Sequence, residues 1–447
     1  MKPIQALTAD LAAGRTTSRA LVEDALARID DKSGEGSRAF IKVWHARARA
    51  EADLWDQVRK LGSLALPLAG IPISVKDLFD VAGEPTTAGS VALKDAAPAA
   101  ADAPIVRRLR SAGAVLVGRT NMTEFAYSGI GLNPHYGTPR NPWDRARGRI
   151  PGGSSSGAAI SVTDGMCAGA IGSDTGGSVR IPAALCGLAG FKPTASRITL
   201  EGAFPLSFSQ DSIGPLASTL GCCAVLDAVM ADEEAKVPDP RPVAGLRLGV
   251  VRTLVLDGLD ATVGAAWARA LTLLSAAGAN LVEIDMPDLP EIPKINARGG
   301  FSAPEAYSHH RETIQTKAEK MDPLVLARIK AGAEMPAADY IDIMRIRKEM
   351  IGRARTLTKP YDAIIMPTCP IVAPALDEVA TPETFMQKNR MVLRNTSLFN
   401  FLDRCSITLP IQGPGEGPVG LMLVGEHGHD RRLISVGLGI EAVVAGR

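Results

Sequence analysis

The spacing of apolar residues changes along the chain, and each change marks a different kind of element. Between residues 4 and 60 they recur with a helical period, with Leu21, Val22, Ala25, Leu26 and Ile29 on one face and Thr16, Thr17 or Ser18 available as caps. Near residue 70 the period drops to two: Ile71, Ile73 and Val75 alternate along a short strand that delivers Lys76 and Asp77 at its end. Asp102 and Pro104 start a helix that Gly113 stops, and the AVLVG run at 114–118 reads as another strand. A polar, proline-rich connector follows at 231–245. Beyond it lie a strand from Leu246 to Val251, a helix with the stripe Val263, Ala266, Trp267, Ala270, Leu274 and Ala277, and a strand from Asn280 to Ile284. Asp322 and Pro323 open a helix closed by Gly332, and a second helix from Pro336 directs Tyr340, Ile343, Met344, Met350 and Ile351 inward. Strands at 363–366, 406–409 and 419–424 precede a last helix from about Arg431. The alternation predicts an α/β fold, a sheet covered by helices on both faces.

One stretch fits neither period. Residues 143–192 are dense in Gly and Ser, yet Ile, Val, Leu, Cys and Phe are interleaved, which is the pattern of a buried segment with tight backbone approaches and not of a linker. Composition is otherwise that of a globular protein: 447 residues, 46% hydrophobic and 22% charged. A net charge of +1 without long charged blocks argues against a nucleic-acid partner and suits a small, roughly neutral substrate. The six cysteines include the adjacent Cys222 and Cys223 and no Cys-x-x-Cys pair, and read as buried reduced thiols. No signal-peptide run and no stretch of membrane-span length stands out, so a cytoplasmic protein without a membrane partner is expected.

The Gly-rich loops raise phosphate binding first, but neither GGSSSG nor SDTGGS carries the Lys-Ser/Thr end of a Walker loop, and Pro134 occupies a position that a dinucleotide fingerprint needs as Gly. Six histidines are present, and no local signature marks a Ser-His-Asp triad. His427 and His429, even with Asp430, lack a spaced third ligand, so neither metal nor cofactor is expected. What remains is serine activated by lysine. Ser178 follows Gly176-Gly177, Ser154 follows Gly152-Gly153, and Lys76 ends an apolar strand where burial would disfavour its charge. Taken singly, each of these is equally a tight turn or a surface lysine.

Together they resemble the amidase signature family. PLAGIPISVKD (67–77), GAVLVGRTNMTEFA (113–126), PGGSSSGAA (151–159), GSDTGGSVRIPAALCGLAGFKPT (172–194) and DAIIMPTCP (362–370) match its hallmark segments in order. The resemblance implies one large domain over 1–447 built on a central mixed, twisted sheet. It would comprise N-terminal helices at 1–60, a signature core at 61–230, the connector, and remaining strands over 246–447 with a helical pocket wall at 296–357. It further implies Ser178 as nucleophile, Ser154 as bridge, reached through a cis Gly153–Ser154 peptide, and Lys76 as base. Oxyanion donors would be the backbone N–H groups of Thr175, Gly176, Gly177 and Ser178. Ser155 and Asp174 would brace the two loops, and Arg180 would be structural first and carboxylate-binding second. The stretch from Ala126 through Ser128 and Gly129 to Ile130 would line the cleft. Arg119, Ser173 and Met422 depart from the commoner Lys, Thr and Gln.

The implied activity is hydrolysis of linear, non-peptide amides through an acyl-enzyme, with esters, ureas and carbamates as further possibilities. Phe301, Tyr307, Tyr340 and Met344 on the pocket wall point to an apolar or aromatic group, though each is equally a core residue. The chain would act as a monomer or homodimer. The alternatives are a glutaminase-type subunit of a tRNA-dependent amidotransferase and a catalytically silent binding protein on the same fold. A lysine base predicts a kcat/KM limb that plateaus well above the pH where histidine titrates.

Overall fold

The computed structural model describes residues 1–62 and 66–444. Among these, eleven strands form one sheet: β1 (Phe40–Val43), β2 (Pro72–Lys76), β3 (Val115–Thr120), β4 (Gly169–Ser173), β5 (Ala189–Lys192), β6 (Ile213–Ala217), β7 (Arg247–Val251), β8 (Asn280–Ile284), β9 (Ala363–Pro367), β10 (Ser406–Pro410) and β11 (Gly420–Val424). Their order is β1-β3-β2-β4-β6-β5-β10-β11-β9-β7-β8. Pairing is parallel for β2 with β3 and β4, and for β7 with β8 and β9; the other neighbours are antiparallel. The sheet is therefore mixed, as expected.

Both faces are covered, and the two-residue period shows it. Leu116 and Ile171 enter one core with Leu220 and Leu226 of the helix Leu220–Met230. Val115, Val117 and Ala170 enter the other with Val22 and Leu26 of the helix Ser18–Asp30 and Ile160 of the helix Ser156–Thr163. Strands buried on both sides read as continuous apolar or small-residue runs, so β4 (GAIGS) carries no alternation to announce it. No helix among the described residues is long and apolar enough to cross a membrane.

Three expectations need correction. Residues 4–60 are not all helical, because β1 pairs antiparallel with β3 at the sheet edge; its four residues are too few to interrupt a helical reading. Gly332 lies within a 3₁₀ turn, Ala331–Glu334, that continues the helix Pro323–Lys330, and a Cβ there would stand 2.0 Å from the Ala303 carbonyl oxygen. It is glycine because backbone passes against it. Met344 is 51% exposed, since the helix Ala337–Thr358 buries the face of Ile343, Met350 and Ala354 instead. The Asp322 cap does form, accepting from Leu324 N at 2.8 Å.

Candidate active site

β2 and β4 run side by side in parallel, and their ends set out the candidate residues. Lys76 is the last residue of β2. β4 ends at Ser173 and passes directly into the loop Asp174–Val179. The other Gly-Ser loop precedes the helix Ser156–Thr163 and holds the Gly153–Ser154 peptide in the cis form.

Lys76 is fully buried, and its Nζ donates to Ser154 Oγ at 2.7 Å and to Ser173 Oγ at 2.8 Å. Burial lowers its pKa to about 7, against the opposing pull of Asp174 and Asp211. A substantial share of Lys76 is thus neutral near pH 7. That value lies within a unit of ordinary histidine, so the expected limb well above the histidine range moves down to about 7. None of the six histidines hydrogen-bonds to Lys76, Ser154 or Ser178.

Ser178 is not joined to this pair. Its hydroxyl has no hydrogen-bond partner among the described residues, although the loops touch through Ser155 N donating to the Ser178 carbonyl at 3.3 Å. The N–H groups of Thr175, Gly176, Gly177 and Ser178 likewise find no acceptor among the described residues, leaving four consecutive donors free in the loop that carries this hydroxyl. Gly177 has φ +134°, and a Cβ there would meet Thr396 Oγ1 at 2.2 Å, so only glycine completes the turn.

The loop is held from several sides. Asp174 is enclosed, accepting from Arg180 Nε at 3.1 Å and Nη2 at 3.0 Å, Val179 N at 3.1 Å and Asn400 Nδ2 at 2.9 Å. Its carboxylate stays well below the usual range, because Arg180 outweighs the burial that would raise it. Arg180 also donates to Asn400 and to Met422 Sδ, so it is a structural pin with its donors taken. Ser155 Oγ donates to the Ser173 carbonyl at 3.4 Å. Thr396 Oγ1 donates to the Gly176 carbonyl at 2.6 Å, and Thr175 Oγ1 to Asp211 at 2.5 Å. Burial raises Asp211 to about 6.

Residues 123–131 form the adjoining wall. Thr123 N donates to the Ser154 carbonyl at 3.0 Å and Gly153 N to the Gly129 carbonyl at 2.8 Å, so this loop clasps the Ser154 peptide at both ends. Phe125 and Ala126 hold positive φ of 52° and 61° inside it. Asn389 accepts from Ser128 Oγ and Gly129 N, and Ile130 packs with Ile181 and Val392. The aromatic expectations fare less well. Phe301 is core against Phe401, Tyr340 gives its hydroxyl to Glu305, and Tyr307 is half-buried.

A family model for amidases matches residues 20–434. The chain belongs to the amidase family. This amidase is similar to 2-amino-5-chloromuconic acid deaminase of Comamonas testosteroni, 38% identical over 90% of this chain and 88% of the relative. It is equally similar, at 38% over 82% of this chain and 81% of the relative, to 1-carboxybiuret hydrolase subunit AtzE of a Pseudomonas species, strain ADP. A crystal structure of an amidase superposes with a TM-score of 0.88 at 34% identity, covering 99% of this chain and 100% of the other.

Sequence reasoning missed Asp211, Asn389, Thr396 and Asn400. The last three lie on the helix Pro382–Phe401 at steps of seven and four, a buried polar stripe on one face, and that spacing was readable. Asp211 had no such signal. The three family departures find partners: Arg119 pairs with Asp77, Ser173 accepts from Lys76, and Met422 accepts from Arg180.

Proposed function

We propose that this amidase hydrolyses the C–N bond of a small linear amide, aryl and apolar amides, ureas and carbamates included, through an acyl-enzyme on Ser178. The observation that carries this reading is the unbonded Ser178 hydroxyl in the same loop as four consecutive unpaired N–H groups, one loop away from a buried lysine already bonded to Ser154. Ser178 Oγ attacks the carbonyl carbon while its proton passes to Ser154 Oγ and the Ser154 proton to neutral Lys76 Nζ. The developing oxyanion is received by the N–H groups of residues 175–178. The same relay returns a proton to the leaving nitrogen as the C–N bond breaks, and water then attacks the acyl-enzyme by the reverse path. Both relatives are named for small molecules, which supports a small substrate here.

The test is covalent labelling by a fluorophosphonate with peptide mapping, joined to ammonia or amine release from a panel of aryl amides, carboxamides, ureas, carbamates and glutamine. An adduct on Ser178, absent in Ser178→Ala, supports the reading. An adduct on Ser154 overturns the assignment, and turnover of glutamine alone favours the amidotransferase alternative.

A further inference from the structure

A cavity of about 910 Å³ opens away from the catalytic loops, and none of its lining residues belongs to the segments 123–131, 151–155 or 174–178. It is walled by the start of β9 and the end of β11, by the end of the helix Ala337–Thr358, by the turn at 402–404 and by the start of the helix Asp430–Val444. Its size falls in the range of roughly 300–1,000 Å³ that small-molecule sites occupy.

Three carboxylates line it, and each is already met. Asp362 accepts from Arg432 Nη2 and Arg247 N, both at 2.9 Å, and pairs with Arg241. Asp403 pairs with His427 Nδ1 at 2.9 Å. Glu426 pairs with Arg404 and accepts from Thr358 Oγ1 at 2.5 Å. The cations are not all met in return. Arg355 and Lys359, both exposed, have no carboxylate and no other acceptor for their side chains among the described residues, and the His429 ring has none either. Arg404 is 4% exposed, and its Nη2 is enclosed without an acceptor among those residues. A charged donor withdrawn from water and left unmet is costly, so this one lacks a partner that the chain itself does not supply. The helix Asp430–Val444 also begins at this wall, with Arg432 and Leu433 of its first turn on the lining, which brings the positive end of its dipole there. The acid of that turn, Asp430, is buried and accepts from Thr194 N at 2.7 Å. Separate cationic donors beside a helix N-terminus suit an anion with several oxygens around one centre better than the two oxygens of a carboxylate.

We propose that this cavity binds a phosphate group, free or carried by a small molecule, through Arg355, Lys359 and Arg404 at the start of the helix Asp430–Val444. The site is independent of the Ser178 reading, and neither falls with the other. Isothermal titration of the full chain with inorganic phosphate, AMP and succinate, at ionic strength held constant with sodium chloride, tests it. Phosphate or AMP should saturate one site in the wild type. Arg355→Gln combined with Lys359→Gln, two exposed positions, should weaken that binding about 10–100-fold, the range for lost bonds between charged groups. Arg404→Met should weaken it as well; it strips Glu426 of its partner, so it is read only where circular dichroism matches the wild type, and the double variant otherwise carries the test. Tighter binding of AMP than of phosphate assigns the rest of the cavity to the organic part, and equal or weaker binding of AMP assigns the site to free phosphate. No saturable heat with either phosphate or AMP overturns the proposal. So does binding that survives the double variant unchanged, or succinate binding more tightly than both.

Discussion

Among the described residues two lysines are enclosed, one at the end of β2 and one at the end of β5, and their surroundings differ in kind. Lys76 faces two hydroxyls, Ser154 and Ser173; Lys192 faces two carbonyls, Pro193 at 2.8 Å and Arg404 at 2.9 Å. Burial lowers the pKa of both. A carbonyl only accepts, so the Lys192 site keeps its donors pointed outward and works as a pin across the β5–β10 seam. A hydroxyl can turn and donate, so the Lys76 site stays satisfied when the amine is neutral and has a lone pair to offer. Equal burial thus leaves an amine able to accept a proton in one place and a tie in the other, and the partner atoms decide which.

The sharpest break of that contrast is Lys76→Ala. It should cost ~10³–10⁵-fold in kcat/KM with the fold retained, and remove a wild-type limb that rises through pH of about 7. Circular dichroism and a pH–rate profile check both parts; wild-type-like turnover would put Lys76 in the same class as Lys192. Ser154→Ala should cost less, roughly 10²–10³-fold, since water can partly stand in. The double variant should be scarcely worse than Lys76→Ala, because a relay acts as a unit. Losses that multiply would show two independent roles.

Lys192→Met should leave turnover within a few-fold and lower stability by roughly 1–3 kcal/mol, by stripping two buried carbonyls of their donor. Urea unfolding measures it, and a large catalytic loss would erase the distinction between the sites. The smallest effect lies in pH linkage. Between about 7, where folded Lys76 titrates, and about 10.4, where an unfolded lysine does, the unfolded chain holds a proton that the folded chain has released. Unfolded protein then binds more protons, so wild-type stability rises with pH relative to Lys76→Met, by at most about 1.4 kcal/mol per pH unit. Below about 7 both states are protonated and the difference is flat; unfolding curves at pH 6, 8 and 9 test the shape.

What could be read from the sequence divides along the same physical line. The Gly-Ser loops, Lys76 and most strands past residue 70 were visible because tight turns and alternating strands constrain residue type locally. β1 was not, since FIKV between two helices is too short to establish a period, and β4 was not, since Gly and Ala buried on both faces carry none. Met344 was assigned inward from its place on an amphipathic helix, and one step of 100° separates it from Ile343. The pairings that brace the Ser178 loop were out of reach because they are long-range: the polar stripe holding Asn400 was readable on its own helix, but no local pattern encodes that it meets Asp174, or that Asp211 meets Thr175.

The Asn400 clamp has a consequence in time. It lies 226 residues beyond Asp174, and Thr396 lies 220 beyond Gly176. At synthesis rates of 5–20 residues per second, a ribosome needs roughly 10–45 s to reach Asn400 after Asp174 has been made. Through that interval the growing chain carries Ser178 and its glycines without the side chains that hold them in shape, and without β10 to pair with β5. A truncation anywhere before residue 396 removes both clamps and leaves the chain in that state permanently. The Ser178 loop is written early and braced late, so an unfinished copy of this hydrolase carries that loop without the contacts that shape it.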